Sequence, residues 1–282
     1  MLFIHYEIIL NNNVYKYSFG EGLVVKYIIN GHGKKISSNS PSLVSINHVL
    51  LSVVIPTFNE EKNISKLAHK VKEVLDNTNF KDNYELIVVD DNSKDKTPEI
   101  IDQLAKNSNF IALHRLKDKG IFSAVVDGIK IANGKFVLTM DADFSHPPEI
   151  IPYILSYSKD YDIVSASRFI KGGGMESPFI RKIGSKILNR ICGIIIGLKI
   201  RDLGGNFRLF NRKKFLELPL RYDSVFGEFG FEIFYRAKKL SYRVKEVPFT
   251  YHFRKEGKSK MGNLLKYGMA YLRRAFQLRF ER

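Results

Sequence analysis

The chain predicts an α/β fold with a mainly parallel sheet flanked by helices. Short apolar runs rich in β-branched residues alternate with stretches of helical spacing. Turn residues punctuate the alternation, and the polar clusters fall where the apolar runs stop. Residues 51–56 (LSVVIP) read as a strand buried on both faces and ended by Pro56. From Glu60 to Leu75, apolar residues at Ile64, Leu67, Ala68, Val71, Val74 and Leu75 give helical spacing. Residues 84–89 repeat the buried-strand pattern. Thr97 and Pro98 open a helix that runs through Leu104, with Thr97 as N-cap and Pro98 in the first turn. Residues 110–114 form a third strand, residues 121–132 a helix stopped by Asn133 and Gly134, and residues 135–140 a fourth strand. In open sheets of this kind ligands bind beyond the carboxyl ends of the strands. The clusters at 57–61, 90–95 and 141–145 each sit at such an end.

The second half continues with a helix over 148–158, a strand over 162–166 and a Gly-rich loop over 171–174. A long helix over 180–196, a polar turn over 201–208 and a helix around 230–240 follow. A strand over 243–248, a basic loop over 254–260 and a final amphipathic helix complete the chain. The first fifty residues look different. Residues 3–10 and 23–29 suit short strands, while Asn11 to Asn13 and the run 30–42 read as turn or linker. This is an N-terminal extension in which no chemistry is apparent.

The bulk numbers narrow the classes. The 282 residues are 44% apolar with 21 Phe and 14 Tyr, which excludes global disorder. A formal net charge of +16 suits phosphate-bearing partners: nucleic acid, anionic lipid or phosphorylated small molecules. The one cysteine, Cys192, excludes an intrachain disulfide and fits a reducing compartment. No stretch reaches the ~18 uninterrupted apolar residues of a spanning helix. The N-terminus lacks the basic start and small-residue cleavage site of a secretory signal. The expectation is a soluble or surface-bound protein with no transmembrane helix.

Asp141 and Asp143 end the fourth strand as DAD. Carboxylates at i and i+2 can grip one hard divalent ion, Mg²⁺ or Mn²⁺, and leave positions for phosphate oxygens; a polar turn is the alternative use. Asp90 and Asp91 end the second strand. A nucleoside offers N–H and hydroxyl donors for such acids, and a dipole-favoured helix start is the alternative. Of Glu60 and Glu61, one is available to a nucleotide and the other is a first-turn helix acid. Arg168, Lys171, Arg181, Arg208, Arg254, Lys258 and Lys260 fall in or near turns, where arginine forks match phosphate. In the last helix Leu265, Met269, Leu272 and Phe276 make an apolar stripe flanked by Lys266, Arg273, Arg274 and Arg279. That stripe suits either an anionic membrane or packing on the domain. The chain has no GxxxxGK[ST], no GxGxxG after the first strand and no HExxH, so kinase, dinucleotide and zinc-protease readings lose their support.

The segments VVIPTFNEEKNI, VVDDNSKDKT and MDADFSHPPE resemble the family 2 inverting glycosyltransferases, and within them the polyprenol (dolichol) phosphate mannose synthases. The resemblance runs from about Ser52 to Met261. It implies the GT-A, or nucleotide-diphospho-sugar transferase, fold over 51–261, with a nucleotide-sugar half to 145 and an acceptor half from 146. It also implies transfer of a hexose, mannose from GDP-mannose in the first instance, to polyprenyl or dolichyl phosphate. Pro56, Phe58, Glu60, Asp90, Asp91 and Asp141 are implied for the nucleotide. Asp141 and Asp143 are implied for Mg²⁺ or Mn²⁺, with Ser145 in the place where some members carry a glutamine ligand. SASRF, ESPFIRK, RDLGGNFRLF and FRKEGKSKM resemble the acceptor and phosphate segments and imply Arg168, Arg181, Asp202, Arg254 and Lys260. Gly204 stands where relatives often have Ser or Thr, and Glu232 falls on a helix acid common in the family. Asp141, Asp143, Arg168 and Arg254 are the implied catalytic set. The implied setting is the cytoplasmic side of a membrane, against anionic lipid and with a separate membrane subunit as a further partner. A UDP-glucose donor or a glycan acceptor is the alternative on the same fold. A basic nucleic-acid-binding protein is the alternative of another class, and the motifs speak against it.

Overall fold

A computed structural model of the chain describes residues 4–10, 13–19, 49–107, 109–115, 120–220, 229–253 and 264–281. The expected strand over 23–29, the linker over 30–42 and the loop carrying Arg254, Lys258 and Lys260 lie outside the described residues. The chain divides into two compact units, Met1–Val137 and Leu138–Arg282, whereas the expected halves met at residue 145.

In the first unit, β1 (Ile4–Leu10) and β2 (Asn13–Phe19) form an antiparallel hairpin. The sequence marked the first of these strands, not the second. Next come β3 (Leu51–Thr57), α1 (Ile64–Asp76), β4 (Tyr84–Asp90), α2 (Thr97–Leu104), β5 (Phe110–Arg115) and α3 (Ile121–Ile131). β3, β4 and β5 run parallel in the order β5-β4-β3, and β2 adds antiparallel to the β5 edge. All seven residues of β3 and of β4 are buried, which is why both read as continuous apolar runs. Pro56 lies inside β3 rather than ending it: it stands opposite Val89, and the strand closes with Thr57 opposite Asp90. Near a strand end the missing proline N–H costs at most one ladder bond. α1 begins at Ile64, not Glu60, because Glu60 O accepts the N–H groups of Asn63 and Ile64 in a preceding turn. Its Ile64, Leu67, Ala68, Val71 and Leu75 form the buried face. Thr97 is the first helical residue of α2 rather than its cap; Asp95 Oδ1 accepts the Thr97 N–H at 2.9 Å instead. Gly128 lets α3 close on the strands, since a Cβ there would stand 2.5 Å from Val54 Cγ1.

A short strand, β6 (Phe136–Thr139), carries the chain across the unit boundary. The second unit continues with a 3₁₀ turn (Pro148–Ile150), α4 (Ile151–Leu155), β7 (Ile163–Ser167), β8 (Gly174–Met175) and α5 (Phe179–Ile196). It closes with β9 (Arg208–Asn211), α6 (Arg212–Leu216), α7 (Phe229–Lys239), β10 (Val244–Pro248), β11 (Thr250–Tyr251) and α8 (Leu264–Phe280). β7 pairs parallel with β10 and antiparallel with β9, and β8 with β11 makes a small parallel pair. β9 and α6 were not foreseen, because Arg208 masks a strand that is otherwise apolar. The Arg208 side chain is buried, donating from Nη1 to Gly230 O at 2.9 Å and from Nη2 to Leu203 O at 2.7 Å.

α8 packs on its unit through one face, one of the two uses left open by its sequence, and exposes the other face. Tyr271, Arg274, Ala275 and Leu278 are buried in the unit, while Met269, Phe276 and Phe280 are exposed beside Lys266, Arg273 and Arg279. Arg274, expected on the basic flank, turns inward because Glu232 of α7 is fully buried and needs cations. Arg274 donates to Glu232 Oε2 through Nε (3.1 Å) and Nη2 (2.5 Å), and Arg236 donates to Oε1 through Nη2 at 3.1 Å. Breaking such a buried set from one side leaves uncompensated charge and costs roughly 3–5 kcal/mol. Glu232→Ala is therefore expected to destabilise the protein by that order in urea denaturation; a loss below about 1 kcal/mol would show that the set does not lock α8.

Candidate active site

Three strand-end loops carry the residues singled out in the sequence, and each contains a non-glycine residue in the left-handed region: Asn59 (φ 51°), Asn92 (φ 62°) and Phe144 (φ 62°). Asparagine tolerates that conformation; a bulky phenylalanine does so only under constraint.

In the first unit the loops after β3 and β4 are laced together. Asn59 N–H donates to Ser93 Oγ (2.8 Å), Lys94 N–H to Asn59 Oδ1 (2.8 Å), Glu60 N–H to Thr97 Oγ1 (2.9 Å) and Lys96 N–H to Glu61 Oε2 (3.1 Å). Glu60 is buried, with Asn63 Nδ2 donating to its Oε2 at 2.9 Å. Phe58 is half-buried at the loop's start. Asp90 accepts the Ser93 N–H, at 3.3 Å to either oxygen. His114, on the neighbouring β5, lies 3.7 Å from Asp90 Oδ2 and 2.9 Å from Asp102 Oδ1. Burial alone would push the imidazole down, but the two carboxylates lift it to about 9, so His114 is a cation at neutral pH. Asp91 is held on both oxygens: Arg115 Nη1 donates to Oδ1 (2.5 Å) and Gly120 N–H to Oδ2 (2.6 Å). Arg115 was missed by the sequence reading, which ended the third strand one residue earlier. A charged residue closing an apolar strand, as Asp90 closes β4, was the available signal.

In the second unit Asp141 and Asp143 follow β6. Asn206 Nδ2 donates to Asp141 Oδ1 at 3.0 Å, while Thr139 Oγ1 ties the same asparagine's carbonyl at 2.6 Å. Ser145 donates to Asp143 Oδ1 from its main-chain N–H (3.1 Å) and from Oγ (2.6 Å). Phe144 in the left-handed region turns the chain back for that contact. Ser145 is fully buried and orients Asp143. Behind the loop, His146 Nδ1 accepts the Asp141 N–H at 2.9 Å, and its ring stacks on Phe207 with centroids 4.9 Å apart. Complete burial pushes His146 down, so it is neutral with its proton on Nε2. Asn206, too, was missed, because a GGN turn carries no charge to draw attention.

The donor set fits a hard divalent ion. Asn206 sets the direction of the Asp141 carboxylate and Ser145 that of Asp143, and the partly exposed Asp141 side chain opens to solvent. Among the described residues no third His, Cys, Asp or Glu joins them, which leaves coordination positions for phosphate oxygens or water.

The 201–208 turn is pinned from several sides. Arg168 donates to Asp202 from Nε and Nη2, both at 2.7 Å, and from its main-chain N–H at 2.9 Å. Burial would raise the Asp202 carboxyl, but Arg168 holds it below the usual range. Glu246 accepts the N–H groups of Arg201 (2.9 Å) and Asp202 (3.0 Å), and Asn189 of α5 accepts that of Leu203 (2.7 Å). Arg168 and Asp202, expected as separate phosphate and acceptor residues, thus form one buried pair. Arg181 lies in the first turn of α5. A Cβ on Gly204 would meet Tyr271 Oη of α8 at 3.0 Å, so the phenol fills the space that a Ser or Thr side chain would need.

The glycosyl transferase family 2 profile matches residues 52–218. A dolichol-phosphate mannosyltransferase of Pyrococcus furiosus is 38% identical over 234 residues, 81% of this chain and 63% of the relative. A dolichol-phosphate mannosyltransferase of Saccharomyces cerevisiae is 31% identical over 218 residues, 74% of this chain and 80% of the relative. The chain thus spans just under two thirds of the archaeal relative. Among solved structures, glucosyl-3-phosphoglycerate synthase of Mycobacterium tuberculosis in complex with Mn²⁺, uridine diphosphate and phosphoglyceric acid superposes with a TM-score of 0.60 at 16% identity. The match covers 83% of this chain and 79% of that one, which establishes the GT-A fold.

The His114 cluster makes stability depend on pH. Among the described residues the charged groups facing the imidazole are Asp90 and Asp102. With its pKa raised from the ordinary 6.5 to about 9, its contribution is complete below pH 6.5 and is lost as pH rises through about 9. An NMR titration of the His114 ring is expected to report a midpoint well above 6.5; a midpoint at or below that value would remove the cation beside Asp90.

Proposed function

The chain belongs to glycosyl transferase family 2, and we propose that it transfers mannose from GDP-mannose to a polyprenyl phosphate such as dolichyl phosphate, with inversion at the sugar carbon. The observation that carries the reading is the oriented pair Asp141 and Asp143 at the end of β6, within a family whose curated relatives include two dolichol-phosphate mannosyltransferases.

Pro56, Phe58, Glu60, Asp90 and Asp91 are assigned to the nucleoside. Asp141 and Asp143 are assigned to Mg²⁺ or Mn²⁺, with Ser145 acting through Asp143. A bound divalent ion there would neutralise charge on the leaving diphosphate. Arg181, Arg254 and Lys260 are assigned to phosphate groups, and the Arg168–Asp202 pair holds the acceptor turn. The acceptor phosphate oxygen attacks C1 opposite the leaving group. A phosphate monoester, with a second pKa of about 6, is already anionic at neutral pH, so the oxygen needs no strong general base. His146 supports this: its Nδ1 is engaged by the Asp141 N–H and its ring is packed among aromatic rings, so it positions rather than abstracts. What the chain's residues contribute is orientation and charge.

The second unit also supports a membrane-surface setting. α5 exposes Phe179 (74%), Ile180 (86%), Ile187 (53%) and Ile194 (66%) along one stripe beside Lys182, Lys186 and Arg190, and α8 packs against α5. No helix among the described residues is long and apolar enough to cross a membrane. Exposed apolar side chains with basic flanks suit the interface of an anionic bilayer.

Transfer of radiolabelled sugar to dolichyl phosphate in detergent with Mg²⁺ or Mn²⁺ is expected from GDP-mannose and not from UDP-glucose. Product from UDP-glucose alone would overturn the donor, and Asp141→Ala retaining substantial metal-dependent transfer would overturn the metal assignment. Binding to liposomes containing anionic lipid is expected to weaken as salt rises; binding indifferent to salt would remove the electrostatic account.

A further inference from the structure

We propose that Arg115 is a positioning residue for the nucleotide, acting through Asp91; this rests on the assignment of Asp91 to the nucleoside. Arg115 closes β5, and its side chain is 1% exposed. Its guanidinium reaches four groups. Nη1 donates to Asp91 Oδ1 (2.5 Å) and to Gly120 O (3.4 Å), Nε to Asp127 Oδ2 (3.1 Å), and Nη2 to Ser123 Oγ (2.7 Å). Gly120 returns a main-chain N–H to Asp91 Oδ2 at 2.6 Å, from a backbone with φ at 137° that side chains rarely adopt. One fork thus fixes the end of β4, the start of α3 and the Asp127 carboxylate along that helix. Lysine, a point donor on a flexible stem, cannot reproduce the planar fork.

The placement of the network lets it serve a ligand as well as the fold. Two carboxylates, Asp91 and Asp127, share one guanidinium, and Lys130 Nζ stands 3.7 Å from Asp127 Oδ1 on the far side. Arg115 and Lys130 both face Asp127. Asp91 keeps its acceptor character at the strand end where ligands bind in such sheets. A carboxylate has about four lone-pair directions, so protein donors and the N–H or O–H groups of a nucleoside can share it. Arg115 sets the plane in which Asp91 presents them.

The test is calorimetric titration of the full chain with GDP in the presence of Mn²⁺, with Mn²⁺ binding alone followed by electron paramagnetic resonance. Arg115→Lys is expected to weaken GDP about tenfold and to raise the donor KM by the same factor. Acceptor KM, kcat at saturating donor and Mn²⁺ affinity are expected to stay unchanged. Glu85→Gln perturbs another buried carboxylate of β4, bound by Ser52 Oγ and Asn133, and controls for lost stability; its GDP affinity is expected to match that of the unaltered protein. Ser123→Ala, a milder change on the same fork, is expected to weaken GDP about threefold and keeps the test open if Arg115→Lys does not fold. GDP affinity unchanged in both fork variants, whatever their melting temperatures, overturns the proposal and leaves the proposed function standing. An unaltered protein that binds neither GDP nor UDP overturns the nucleotide reading, and this inference with it.

Discussion

A carboxylate removed from water has to be answered by the protein, and that constraint organises both units. Glu85 is answered by Ser52 and Asn133, Asp91 by Arg115 and Gly120, Asp202 by Arg168, and Glu232 by Arg236 and Arg274. Each set joins segments far apart in the chain: Asn133 to β4, α3 to the loop after β4, the 201–208 turn to the end of β7, α8 to α7. The helices and strands supply apolar surface. The buried acids decide which loop ends where.

Against that background Asp141 and Asp143 stand out by the kind of donor they are given. An amide from Asn206 directs Asp141 and a hydroxyl from Ser145 directs Asp143, whereas a guanidinium directs Asp202. The same economy appears at His146, which is kept neutral by burial and spends its Nδ1 on the Asp141 main chain. The left-handed Phe144 belongs to this arrangement, since the turn it makes brings Ser145 back onto Asp143.

Much of this was legible beforehand. β3, β4 and the helices α1 to α3 announced themselves through apolar runs and helical spacing. The three polar loops were visible because parallel strands end in them. In three places where the reading failed, a charge had been placed inside. Arg208 hid β9, Arg115 was cut from β5, and Arg274 was assigned to the outer face of α8. In each case the residue type suggested solvent, and a distant acid or carbonyl reversed it.

By itself the sequence determined the α/β alternation, the positions of the strand-end carboxylates and the family. These depend on local periodicity and on ordered motifs read within about a dozen residues. Only the tertiary structure decided that Arg168 belongs to Asp202, that Arg115 holds Asp91, that Asn206 directs Asp141, and that α8 buries one face while exposing another. Those outcomes depend on which cation or amide arrives beside a given acid. Such meetings join residues 24 to 65 positions apart, a separation that no local pattern records.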